Sequence, residues 1–239
     1  MNLGNFDALS FDCYGTLIDW ETGLRNGLEK VASLSSPPLH MDLLLETYGA
    51  CEAEVERSQP GLLYPRVVAR STIAAGAIHG ISVPEALAMD VGQSVPDWPA
   101  FPDSAEALAR LKKRHKLIIL SNVDRQSFAG SNARLYVTFD AILTAEDIGS
   151  YKPNPANFEA LLAKLDEMGI ARDRLLHVAQ SLFHDHVPAK AIGLPTVWID
   201  RRAGKQGTGA TPTPSSGVEP DWRFTSMAAF ADAVESESR

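Results

Sequence analysis

A short apolar run ends in an aspartate at position 12 and passes into a tight polar turn: Asp7-Ala-Leu-Ser-Phe-Asp12-Cys-Tyr14-Gly-Thr16-Leu-Ile-Asp19. A strand that carries a carboxylate to its end, with a Gly/Thr turn that exposes it, presents that aspartate as a nucleophile. Three further polar stations follow apolar runs: Ser121-Asn122, then Ser150-Tyr151-Lys152-Pro153, then Gln180-Ser181-Leu-Phe-His184-Asp185. Ligands of open parallel sheets bind beyond the carboxyl ends of the strands. Together the stations would supply two carboxylates, hydroxyls, an amide and an ammonium to one crevice. A lone strand-end aspartate usually caps a turn or helix, and Ser121-Asn122 could do the same for the helix that follows it. Asp12 departs from that reading because of the company it keeps.

The elements that must position these groups are visible as runs that are apolar throughout, as buried parallel strands are. They are Ala8 to Phe11, Lys116 to Leu120, Ala141 to Thr144, Leu175 to Ala179 and Thr196 to Ile199. Amphipathic stretches separate them, among them Ser104 to Arg114, with Asp103-Ser104 as its cap, and Asn157 to Met168, closed by Gly169. Strand alternating with helix predicts an α/β fold with a doubly wound parallel sheet. Residues 18–97 break that rhythm with helix-like stretches (Trp20 to Leu34, Met41 to Arg57, Tyr64 to His79, Pro84 to Ser94) and no strand. They read as a helical cap domain inserted after the first strand, leaving residues 1–17 and 98–239 as the core domain. The proline-rich Val95 to Pro102 is a stiff return into the core. Ala203 to Pro220, rich in Gly, Thr, Ser and Pro, reads as a mobile surface loop before Trp222-Arg-Phe and a last helix from Ser226.

Composition narrows the function classes. The chain has 239 residues, 45% apolar and 22% charged, as an ordinary globular protein of one large domain, or one domain with an insertion, would have. A formal charge of -8 disfavours a phosphate-backbone binder, so no nucleic-acid partner is expected. No apolar stretch approaches the ~20 residues of a membrane span. The N-terminus lacks the basic region and apolar core of a signal, which points to the cytoplasm. Cys13 and Cys51 make neither a metal set nor a disulfide scaffold. His177, His184 and His186 lack the cysteine or spaced acid of a zinc site and read as local hydrogen-bonding groups.

In this order and at this spacing the four stations resemble those of the haloacid dehalogenase superfamily, from Phe11 to about Arg201. The Asp12-x-Tyr14-Gly-Thr16 pattern is similar to that of the L-2-haloacid dehalogenases. The resemblance implies a Rossmann-like core with an inserted helical cap, and an Asp12 that forms a covalent ester which water then hydrolyses. Phosphatases of the superfamily carry a second aspartate where this chain has Tyr14, and use it to protonate a leaving alcohol. A halide leaves as a very weak base and needs no proton. Those phosphatases also hold Mg²⁺ through a Gly-Asp where this chain reads Ala179-Gln180, so only Asp185 remains and a cofactor-independent enzyme is implied.

Carried over residue by residue, the resemblance makes Asp12, Lys152 and Asp185 catalytic: Asp12 attacks, Lys152 keeps it ionised, and Asp185 positions the hydrolytic water. Tyr14, Thr16, Trp20, Ser121, Asn122 and Ser181 form the substrate-binding set, with no metal ligand. Thr16 and Ser121 would orient the substrate and the carboxylate, and Asn122 would donate to the leaving halide or the substrate carboxylate. Two departures bear on the substrate. The halide-embracing arginine of the cap is missing from Pro38-Leu-His40-Met-Asp42, with Arg66 and Arg70 as later candidates, and Leu182 stands where an asparagine is usual. The leading reading is an (S)-2-haloacid dehalogenase acting on small 2-substituted carboxylates. A second resembles L-azetidine-2-carboxylate hydrolase: the ring amine leaves already protonated, and Glu21 or another cap carboxylate attracts it. A third reading is a phosphatase with weak Mg²⁺ dependence, and a fourth is a non-catalytic member that binds a metabolite. A homodimer is implied by the resemblance alone.

Overall fold

The first strand, β1 (Ala8–Phe11), occupies the middle of the sheet because all its residues are apolar or satisfied inside it, and none is exposed. A computed structural model describes residues 2–204, 211, 214 and 217–237 of the chain. After β1 come four helices, α1 (Trp20–Ala32), α2 (Met41–Ser58), α3 (Tyr64–Ile78) and α4 (Glu85–Gln93). The alternating part follows: α5 (Ser104–Leu111), β2 (Lys116–Ser121), α6 (Arg125–Asn132), β3 (Ala141–Thr144), α7 (Ala145–Ile148) and α8 (Pro155–Glu167). It ends with β4 (Leu175–Ala179), α9 (Val187–Ala191), β5 (Thr196–Ile199), β6 (Trp222–Phe224) and α10 (Met227–Glu237). Most of the Gly- and Thr-rich segment within 203–220, expected as a mobile loop, lies outside the described residues.

The six strands pair in the order β3-β2-β1-β4-β5-β6, every pair parallel. The chain winds outward from β1 through β2 to β3, then crosses to β4 on the other side and winds outward again. The direction therefore switches between β1 and β4, and a crevice opens beyond their carboxyl ends. Side-chain alternation along the strands fills two layers. Leu9, Phe11, Ile119 and Val178 join one core with α5 and α10, while Ala8, Ile118, Leu120 and Leu175 pack on Phe158, Leu161 and Leu165 of α8. This is the expected Rossmann-like, doubly wound α/β fold with a helical cap.

Cap helices α1 to α4 pack on one another and continue the first of those cores through Leu24, Leu28, Leu45, Val67 and Val91. Two short connections join them to the sheet, and these pair with each other. The Asp19 amide donates to the Pro99 carbonyl at 2.8 Å, the Phe101 amide to Leu17 at 3.0 Å, and Ile18 bridges Ala100 in antiparallel fashion. Asp103 departs from its expected role as a cap. Its carboxylate makes no bond to the start of α5 and accepts instead from Arg201 Nη1 at 2.9 Å and the Ala228 amide at 3.2 Å. Ser121 and Asn122 do not cap α6; Asp124 does, accepting from the Ser127 amide at 2.9 Å. Gly169 ends the helical stretch as expected, at φ 68°.

Helices α3 and α4 approach so closely at Gly92 that an added Cβ would lie 2.0 Å from the Pro65 carbonyl oxygen. Because that obstacle is backbone, Gly92→Ala is expected to cost about 1–3 kcal/mol through forced separation of the two helices. Urea unfolding of the two proteins measures it; an unchanged midpoint would show that the helices part freely.

Candidate active site

Asp12 leaves the end of β1, and both of its oxygens are held. Oδ1 accepts from Lys152 Nζ at 3.0 Å, and Oδ2 from Thr16 Oγ1 at 2.6 Å. Thr16 in turn accepts from the Gln180 amide at 2.9 Å, which ties the loop after β1 to the end of β4. Arg201 donates to the Thr16 carbonyl at 2.8 Å and braces the same loop from outside. Gly15 makes the turn possible: its φ is 93°, and a Cβ would lie 3.0 Å from both Trp20 Nε1 and Gln180 Oε1.

Lys152 is 1% exposed, and its ammonium spends all three donors inside the protein. They go to Asp12 Oδ1, to Asp185 Oδ1 at 2.6 Å and to the Leu120 carbonyl at 2.9 Å. Asp185 stands in a short π-helical turn, Leu182–His186, a kind of irregularity that re-aims side chains. Beneath it, His177 Nε2 lies 3.1 Å from Asp185 Oδ1, and His177 Nδ1 lies 2.8 Å from the Ser10 hydroxyl on the facing strand. Burial raises the Asp12 carboxyl above its ordinary value against the pull of Lys152 and Thr16. Burial acts on Asp185 in the same sense, but Lys152 and His177 outweigh it and hold that carboxyl well below the usual range. Burial would neutralise Lys152, yet the two aspartates keep it charged.

The remaining residues expected at the site have mixed fates. Tyr14, Trp20, Ser121, Asn122 and Ser181 all line one cleft of about 50 Å³ together with Asp12, Lys152 and Asp185. Thr16 is turned to Asp12 and Gln180, away from the cleft. Ser121 Oγ and Asp185 Oδ2 are buried with no partner among the described residues. Asn122, in contrast, is committed: its amide donates to the Lys152 carbonyl at 3.0 Å and Glu56 Oε2 at 3.1 Å, while its oxygen accepts the Lys152 amide at 2.7 Å. Tyr14 has its hydroxyl 2.8 Å from Ser131 Oγ and its ring against Trp98 and Tyr64, at centroid distances of 5.8 and 6.0 Å. Burial pushes its phenol well above the ordinary range, so it stays protonated at neutral pH. Arg66 and Arg70 are exposed and outside the cleft, and Arg70 turns to Gln59. Glu21 pairs with Arg202 at 2.7 Å, also outside it.

The sequence reading missed the residues that α2 contributes. Glu52 and Glu56, a turn apart, are buried and line the cleft. Glu52 Oε1 accepts from the hydroxyls of Tyr48 at 2.9 Å and Tyr64 at 3.0 Å. Charged residues on a helix normally read as its wet face, but Glu52 falls on the stripe of Leu45, Tyr48 and Val55, which was the available signal. Burial pushes Glu52 up to about 7 and Glu56 well above the usual carboxylate range. His184, another lining residue, is pushed down to about 4 by burial, so it is neutral at pH 7.

The donor set is poor for a magnesium ion, which prefers carboxylate charge: the third position is the neutral side-chain amide of Gln180, whose Oε1 accepts from Thr211 at 3.3 Å, and Lys152 already neutralises Asp12 and Asp185. Among the described residues no group of three acids, histidines or cysteines is placed to hold a metal.

The family model for haloacid dehalogenase-like hydrolases matches residues 6–179. No curated protein sequence matches significantly. Among solved structures, L-2-haloacid dehalogenase from Xanthobacter autotrophicus is similar at 19% identity and TM-score 0.77, over 96% of this chain and 98% of that one. Another L-2-haloacid dehalogenase is similar at 20% identity and TM-score 0.79, over 97% and 99% of the two chains. A hydrolase of the same superfamily from Bacillus subtilis, bound to magnesium, reaches 17% identity and TM-score 0.74 over 97% and 99%. At these identities the likeness is one of fold.

The raised Glu52 carboxyl carries a stability consequence with a definite sign. Its folded value of about 7 exceeds its free value of 4.5, so the folded state favours the protonated form. That advantage is complete below the free value and is lost as pH rises through about 7. Glu52→Gln keeps an acceptor for both tyrosines and removes the titration. Its stability relative to the native chain should therefore rise between pH 5 and pH 8, by up to about 3 kcal/mol. Urea denaturation at the two pH values checks this, and a pH-independent difference would mean Glu52 is solvated in the folded protein.

Proposed function

The chain belongs to the haloacid dehalogenase-like hydrolases, and on that premise we propose that Asp12 hydrolyses a carbon–leaving-group bond in a small 2-substituted carboxylate through an aspartyl ester. The observation that carries this reading is the Asp12–Lys152–Asp185 array, buried at the switch point of the sheet and open to one small cleft. Lys152 holds Asp185 firmly ionised and leaves Asp12 the more basic, hence the more nucleophilic, of the two carboxylates. An Asp12 oxygen attacks the substrate carbon, and the bond to the leaving group breaks with its electron pair departing on that group. Water, aligned by the free Oδ2 of Asp185, then attacks the ester carbonyl carbon; the ester C–O bond breaks, one water proton passes to the departing oxygen to give the product alcohol, the other goes to solvent, and the Asp12 carboxylate is restored.

Tyr14 bears on the leaving group. Its phenol is bound to Ser131 and holds its proton far more tightly than an aspartic acid would, so this position is a poor acid for a departing alcohol. A halide and a ring amine that leaves from its ammonium both dispense with such an acid; a phosphate monoester does not. The donor set argues against magnesium in the same direction. (S)-2-Haloacid hydrolysis and azetidine-2-carboxylate ring opening are the two forms of this reading, with residues 18–97 acting as the cap domain over a core of residues 1–17 and 98–239. A cytoplasmic homodimer completes the proposal.

Asp12→Asn is expected to lower turnover on the order of 10³-fold or more. In a single turnover in ¹⁸O-water, the label should enter the peptide that contains Asp12. Label found only in the product alcohol would overturn the ester. Chelation of divalent metals should leave the rate unchanged, and a clear loss would return the phosphatase reading.

A further inference from the structure

Helix α2 brings two carboxylates to the cleft and no cation to match them. Among the described residues neither Glu52 nor Glu56 forms an ion pair with a lysine or arginine, and the nearest basic group is neutral His184, whose Nε2 is 3.9 Å from Glu56 Oε2. Lys152, the one lysine or arginine among the described cleft residues, is already taken by Asp12 and Asp185. Burial answers the lack of a cation by favouring the protonated form of both. Glutamine would satisfy Tyr48, Tyr64 and Asn122 equally well, so hydrogen bonding alone does not account for two acids.

A ligand bearing positive charge does account for them. Glu52 is gripped on Oε1 by two tyrosine hydroxyls, and Glu56 by the Asn122 amide, which aims both carboxylates at the cleft they line. Burial leaves them more basic than ordinary carboxylates, ready to ionise against an ammonium. Asp185 and Ser121 line the same cleft, and Asp185 Oδ2 and Ser121 Oγ are buried without a partner among the described residues. A ligand that bore only a carboxylate would face four acids and one ammonium already spoken for. The cleft is small, about 50 Å³, which suits one small molecule that carries both the charged group and the reacting carbon.

We propose that Glu52 and Glu56 form a receptor for a protonated amine of the substrate, set opposite Asp12, so that the enzyme acts on small amine-bearing rather than purely anionic molecules. This rests on the reading of Asp12 as the nucleophile. The test is an NMR titration of the full chain at pH 7 with three probes of similar size: propylammonium, 1-propanol and propionate. Propylammonium should bind at least about tenfold tighter than the other two, with shifts confined to cleft residues. Glu52→Gln and Glu56→Gln, checked for native thermal unfolding, should each lose that preference. Tighter binding of propionate by the native chain would overturn the proposal without any variant, as would an unaltered preference in the folded double variant. Asp12→Asn separates the two readings. If it keeps propylammonium binding but loses turnover, both stand; if turnover persists, the nucleophile fails and the receptor survives. Labelling of Asp12 by chloroacetate in ¹⁸O-water, in a chain indifferent to propylammonium, would leave the nucleophile standing and remove the receptor.

Discussion

One ammonium, that of Lys152, makes the active region of this fold possible. Asp12 and Asp185 are both out of water, and two carboxylates so close together repel each other and favour protonation. Lys152 lies against both, and its own desolvation is offset only because both are there. None of the three charges is tenable alone, which is the ordinary condition of buried ions. The surrounding structure is arranged to hold this balance. Ser10 and His177 support Asp185 from inside the sheet, Thr16 and Arg201 fix the loop that carries Asp12, and the Leu120 carbonyl takes the third lysine donor.

The same constraint extends into the cap through Asn122. This one side chain fixes the backbone of Lys152 in both directions and also holds Glu56 of α2. Seating of the cap is thereby coupled to the position of the lysine. The aromatic contact among Tyr14, Tyr64 and Trp98 does comparable work on the other wall, joining the loop after β1, α3 and the returning connection. The acids of α2 and the charge triad are thus parts of one packed unit even though they arise from distant stretches of chain.

How much of this was legible depended on whether a local pattern expressed it. The strands were readable because parallel strands buried on both faces are apolar without alternation, and β1 to β5 fall on those runs, β2 reaching one residue further to Ser121. Asp12, Lys152 and Asp185 were readable because strand order and strand ends imply a shared crevice. Asn122 lines the cleft, but its bond to Glu56 was not legible because it is a contact across 66 residues. Glu52 and Glu56 were hidden because a charged residue on a helix is indistinguishable from a solvated one until the neighbouring helix is known. Asp103 looked like a cap for the same reason, whereas tertiary partners, Arg201 and the start of α10, had claimed it.

The paired connections at Leu17–Asp19 and Pro99–Phe101 have a mechanical meaning. Two separate tethers would let the cap twist and slide; two tethers laced by hydrogen bonds behave as a ribbon, stiff in its plane and compliant across it. Any movement of α1 to α4 against the sheet would be guided by this ribbon. Glu52 and Glu56 lie on one side of the ribbon and Asp12 and Lys152 on the other, so the same lacing that joins the two parts also sets the spacing of the four ionisable groups around one cleft.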